Sequence, residues 1–140
     1  MNKLGKTIIG GLIGTIAMTI IIMLAPLMGM PKMSPPDMLA TTMGVPVIVG
    51  WMMHFVTGIM FAAIYTYLFT SKISINNIYI KGAAFGLAVF ICAQILMAIM
   101  KTMLPMPDMV GPLVLIMMGS IIGHIIYGVV VAKMIEPKYE

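Results

Sequence analysis

The stretch Gly50-Trp-Met-Met-His-Phe-Val-Thr-Gly-Ile-Met-Phe-Ala62 decides the fold. It lies inside a run without charge from Met38 to Ser71. Within it Gly50, His54, Gly58 and Ala62 recur at every fourth position. Steps of four stay close to one face of an α-helix. A helix whose one distinct face is made of very small residues, and whose other faces are apolar, has no side to offer water. A bilayer is the environment it fits. About 20 apolar residues cross the hydrocarbon layer, and in lipid the backbone must satisfy its own hydrogen bonds, so a helix is the expected form.

The pattern returns once, as Ser120-Ile-Ile-Gly-His-Ile-Ile-Tyr-Gly-Val-Val-Val-Ala132. The chain's 2 histidines, His54 and His124, occupy equivalent places in the two stripes. Thr7–Pro31, Gly82–Met100 and Met109–Ala132 are likewise uncharged. Composition agrees: 61% of the 140 residues are hydrophobic, 9% are charged, and the mean hydropathy is +1.12. Soluble domains carry about 25% charged residues. Alternation of the kind a membrane β-barrel needs is missing from these runs. The reading is all-α: a polytopic four-helix transmembrane bundle forming one domain over 1–140. Its helices are expected at about 6–28, 46–69, 81–104 and 112–133.

Lys3 and Lys6 precede an apolar run too long for a signal-peptide core, so it reads as a retained first helix. Ser34, as N-cap, with Pro35 and Asp37 behind it, predicts a short interfacial helix over about 35–43, stopped by Gly44 and Pro46. Trp51, Tyr65, Tyr67 and Phe69 read as aromatic belts at the two membrane surfaces. The tail Glu136–Glu140 reads as charged and frayed. Cys92 has no intrachain disulfide partner. There is no arginine and no basic run, so nucleic acid is not an expected partner.

Orientation comes from lysine. Lys3, Lys6, Lys72, Lys81, Lys133 and Lys138 fall on one side; Lys32 and Lys101 fall on the other, beside Asp37 and Asp108. Both termini are therefore expected in the cytoplasm, in the cell (inner) membrane. The halves match: each has a Gly-x3-Gly pair (Gly10 and Gly14, Gly82 and Gly86), a Met-Pro corner and a histidine stripe. That predicts two parallel two-helix repeats about an axis along the membrane normal, with both histidines facing the bundle interior.

The sequence resembles an uncharacterised family of small four-helix bacterial membrane proteins. Gly-Trp-x-x-His-Phe-x-x-Gly at Gly50–Gly58, Gly-His-x-x-Tyr-Gly at Gly123–Gly128 and the Met-Gly-Met-Pro corner at Met28–Pro31 carry the likeness. It implies the four-span fold and no established activity.

No carboxylate lies inside a span, which argues against a carboxylate proton relay or a di-iron site. No nucleophile with its base and no buried cation is apparent, so an enzyme is not expected. The histidines remain. An ionisable group in a membrane helix points to function, while a neutral imidazole can also serve as glue between helices, with Tyr127 as a near partner for His124. Methionine is the second signal. The chain has 19, concentrated in Met23–Met53 and Met97–Met118, at the outward helix ends and outer loops. Thioether and imidazole together suit Cu(I).

Three readings stand. In the first, Met28, Met30, Met33, Met103, Met106 and Met109 collect copper, Met117 lines the route inward, and His54 and His124 complete the site. In the second, haem b sits between the two histidines, with Gly58 and Gly128 leaving flat space beside the rings. In the third the protein is a ligand-free structural or accessory subunit, its stripes packing against one another, a second copy or another membrane protein. The methionine distribution places copper ahead of haem.

Overall fold

The computed structural model describes residues 1–104, 106 and 110–136; among these the chain is helical, with no strand. Helix α1 covers Lys3–Leu24 and closes in a 3-10 turn, Ala25–Met28. Helix α2 is short, Pro35–Met43. Helix α3 starts at Val47 and reaches Lys72, passing through a π-helical turn at Tyr65–Phe69. Helices α4 and α5 are Ile78–Met103 and Leu113–Ile135.

Apart from α2, each helix is long and apolar enough to cross a membrane. Their outer faces carry Ile13, Ile16 and Ile20 of α1, Val56 and Met60 of α3, Ile91 and Ile95 of α4, and Val114 and Met118 of α5, all exposed. Apolar surface this extensive, around helices this long, faces lipid. The protein is a small multi-pass membrane protein that sits in a bilayer.

Two helices start earlier than the apolar runs imply, for the same reason. Asn2 Oδ1 accepts from the Gly5 amide at 2.8 Å. Asn77 Oδ1 accepts from the amides of Tyr79 and Ile80 at 2.9 and 3.1 Å. A side-chain cap satisfies the amides that a helix start leaves open, so α1 begins at Lys3 and α4 at Ile78. Ser34 holds the N-cap place of α2, but its side chain makes no cap bond. Gly44, at φ 64°, ends α2 with its amide on the Ala40 and Thr41 carbonyls.

Packing runs through glycine. Hydrocarbon is as apolar as leucine, so membrane helices are held by close contact rather than by exclusion of water. A Cβ added to Gly11 of α1 would stand 2.7 Å from Ile59 Cα and 3.1 Å from the Gly58 carbonyl of α3. One added to Gly58 would overlap the Thr15 hydroxyl. In the same way, a Cβ on Gly82 of α4 would stand 2.8 Å from the Gly128 carbonyl of α5, and one on Gly86 would overlap the His124 carbonyl. The Gly10–Gly14 pair faces α5. Gly10 meets Met134 and Ile135, and Gly14 meets Tyr127 and Val131, all on α5. The helices therefore stand in the order α3, α1, α5, α4.

Helices α3 and α4 lack such backbone contact. Rings bridge them at one end: Tyr65 and Phe69 stack at 5.6 Å, and both meet Phe85 edge-on at 4.9 and 5.0 Å. Tyr65 is thus a core residue, 0% exposed, and not part of an aromatic belt. Its hydroxyl donates to Glu136 Oε1 at 2.6 Å, and the same oxygen lies 2.9 Å from Lys81 Nζ. Glu136 is accordingly pinned rather than frayed, and Lys81, 7% exposed, is a buried cation that the sequence did not reveal. The rest of the tail, residues 137–140, lies outside the described residues.

Candidate functional site

The stripe on α3 is its buried face: Gly50, His54, Gly58 and Ala62 are the buried residues of Val47–Ile64. On α5 the stripe is split. Gly128 and Ala132 are buried, while Ser120 and His124 are half-buried. On α3 the outer half of the stripe is covered, Gly50 by Pro36 and Ala40 of α2 and His54 by Thr19 of α1.

Between α3 and α4, with α1 and α5 behind, lies a cavity of about 220 Å³. His54 and His124 both line it. Helix α2 covers it through Pro35, Met38, Leu39 and Thr42. Its seat on α3 needs Gly50, where a Cβ would run into the Pro36 carbonyl.

Hydrogen bonds fix how each imidazole presents itself. His124 Nδ1 stands 2.7 Å from the Ser120 carbonyl oxygen. A carbonyl only accepts, so Nδ1 carries the proton and the neutral ring keeps its lone pair on Nε2. Nε2 makes no hydrogen bond among the described residues, and the residue lines the cavity. Phe90 packs on this ring at 5.7 Å. His54 Nε2 lies 3.0 Å from Thr19 Oγ1. That hydroxyl gives its one proton to the Thr15 carbonyl at 2.7 Å, so it accepts from His54, and the lone pair of His54 sits on Nδ1. Tyr127 is not a partner for His124. Its hydroxyl donates to the Gly58 carbonyl and ties α5 to α3.

The methionines divide. Met33, Met106 and Met117 line the cavity with the histidines. Met28 and Met103 are 81% and 78% exposed and lie outside it. Met30 is half-buried, its sulfur 3.7 Å from the place a Cβ would take on Gly119. Met109 falls outside the described residues. Sequence reasoning missed Met18, Met38, Met97 and Met100, which also line the cavity. Met97 and Met100 were legible in the second methionine block, where methionine recurs at 97, 100, 103, 106 and 109. Met18 was not, because it lies outside both methionine blocks and only the α1–α5 contact turns it inward.

Gln94 joins the lining, and Thr42, 4% exposed, brings the one buried side-chain oxygen without a partner among the described residues. The room beside Gly58 and Gly128, where a porphyrin would lie, is filled by Thr15 and by the backbone of Gly82 and Gly86. Cys92 is exposed and is not part of the cavity wall. Among the described residues no three of His, Cys, Asp and Glu come together as a metal cluster.

Comparison with known proteins gives a family and no activity. The chain belongs to a family of unknown function (DUF6789), matched over residues 1–138. No curated protein and no solved structure matches it.

Proposed function

We propose that this member of a family without an assigned activity binds Cu(I) in the cavity between α3 and α4, as a membrane carrier or store rather than an enzyme. One observation carries the reading: both histidines and a set of methionines from four helices and the loops line a single cavity. Thioether and imidazole are soft and intermediate ligands that suit Cu(I). Hard cations need oxygen ligands, and zinc favours thiolate, imidazole and carboxylate. Among the described residues, neither carboxylate nor thiol lines the cavity. Among the described residues no third classical ligand joins the histidines, which leaves the coordination to thioethers in this reading. His124 Nε2 is presented as a bound imidazole requires, with the other nitrogen donating to a carbonyl.

Size favours an ion over a macrocycle. The cavity's 220 Å³ is below the ~300–1,000 Å³ of sites for drug-sized ligands. Both termini on the cytoplasmic side would turn α2 and the Met-Pro corners outward, so copper would enter from outside the cell. The repeat reading is supported by matched contacts: Gly11 and Gly82 each meet the glycine four residues after a histidine, and Thr19 and Phe90 each meet a histidine.

The test is copper retention after reconstitution under reducing conditions, against a moderate chelator. Wild type should keep a stoichiometric amount. Replacing His54 and His124 together with alanine should remove it, and Met97→Leu with Met117→Leu should weaken it. Imidazole must be neutral to coordinate while a thioether needs no proton change, so mild acid should release the histidine-bound metal first. A wild-type protein that keeps no copper ends this reading, and a Soret band after haem addition would select haem b instead.

A further inference from the structure

A second cavity, of about 710 Å³, lies at the other end of the bundle, where α1 and α4 begin and α3 and α5 end. Its lining includes three amines, of Lys3, Lys6 and Lys81, and one carboxylate, Glu136. That carboxylate is already engaged by Lys81 at 2.9 Å and by the Tyr65 hydroxyl at 2.6 Å. Lys3 Nζ stands 4.7 Å from the centre of the Tyr67 ring, a contact that leaves its charge in place. Lys6 has no ion-pair partner among the described residues. Among the described residues the cavity is therefore net cationic, and Lys3 and Lys6 carry the charge that Glu136 does not engage.

Its depth is also marked. Tyr67 and Tyr79 are 47% and 52% exposed, and each lies beneath a lysine, Lys3 and Lys133. Tyrosine with lysine at the end of a membrane helix sits at headgroup level. Inward of Lys6 and on the same face of α1, three and seven residues further on, are the exposed apolar side chains of Ile9 and Ile13, and beside Tyr67 is exposed Leu68. A phosphate at this cavity would have apolar helix surface next to it for acyl chains.

We propose that the cavity binds the phosphate of an anionic phospholipid headgroup. Lys3 and Lys6 supply the attracting charge, and the Lys81–Glu136–Tyr65 cluster forms a rigid back wall. Basic recesses between membrane helices hold anionic headgroups by this combination. A free phosphate ester offers the same charge. The neighbouring apolar surface is what favours the lipid, and it gives a free anion nothing.

The experiment is native mass spectrometry and thermal melting of the full chain, offered phosphatidylglycerol, phosphatidylcholine or inorganic phosphate. Phosphatidylglycerol should stay bound and raise the melting temperature, while the other two should do neither. The double variant Lys3→Gln, Lys6→Gln should hold phosphatidylglycerol about tenfold to thirtyfold less well. Lys72→Gln, on the same end but outside the cavity, should hold it as wild type does. Four results would overturn the proposal. They are equal retention of phosphatidylcholine, undiminished retention by the double variant, an equal loss in Lys72→Gln, or displacement of the lipid by millimolar phosphate. Melting of each variant in phosphatidylcholine reports whether it remains folded.

Discussion

His54 and His124 show why residue identity alone did not settle the site. Equivalent in sequence, they differ in what holds them. The Ser120 carbonyl fixes His124 through Nδ1, whereas Thr19 fixes His54 through Nε2. Thr19 is thus a positioning residue, and no local pattern announces it, because it reaches His54 only once α1 lies on α3. Thr19→Val removes the acceptor while keeping the shape. His54 should then lose its tautomer preference, visible in its ring ¹⁵N shifts, and copper should be held ~10–100-fold less tightly, as when other outer partners of metal-bound histidines are removed. Unchanged ¹⁵N shifts would remove Thr19 from this role whatever happens to copper. The histidines and three of the lining methionines could be named from sequence. Lys81 could not, since a lysine at the start of an apolar run looks interfacial until Glu136 is found beside it.

Among the elements, the spanning helices were legible because each is a long uncharged run. The starts at Lys3 and Ile78 were not, because asparagine caps act outside the apolar pattern. Pairing was half legible. Small residues mark a contact face, but Gly10, Gly11 and Gly14 are close enough in sequence to serve two neighbours, and they do. In the α4–α5 contact a Cβ on Gly86 would run into the His124 carbonyl. A backbone atom cannot swing aside as a side chain can. Gly86→Ala should therefore push α4 from α5 and destabilise the protein by about 1–3 kcal/mol, measured by detergent unfolding. Ile91→Ala, on the exposed side of the same helix, should stay within about 0.5 kcal/mol. Equal effects at the two sites would mean that the glycine contact is not what holds the pair.

For the whole molecule the open question is which way it faces. Helices that cross four times return both termini to one side, so a single comparison of loops decides the matter. Lys3, Lys6, Lys72, Lys81 and Lys133 lie at the end where the chain enters and leaves, against Lys32 and Lys101 at the end covered by α2. Positive charge is retained on the cytoplasmic side during insertion, and short connections such as these obey the bias most closely. Lys81 weighs less than its position implies, since Glu136 neutralises it, but the remaining lysines keep the sign. The expected outcome is that α2 and the His–Met cavity open outward and the lysine-lined cavity faces the cytoplasm. Single cysteines test this, placed at Ser34 and at Asn76 in a Cys92→Ala background, because Cys92 is itself exposed. In intact cells a membrane-impermeant maleimide should label Ser34→Cys, and it should reach Asn76→Cys only after permeabilisation. The reverse pattern would place the methionine-lined cavity on the cytoplasmic side. Copper capture from outside would then have no route, even if the purified protein still bound the metal.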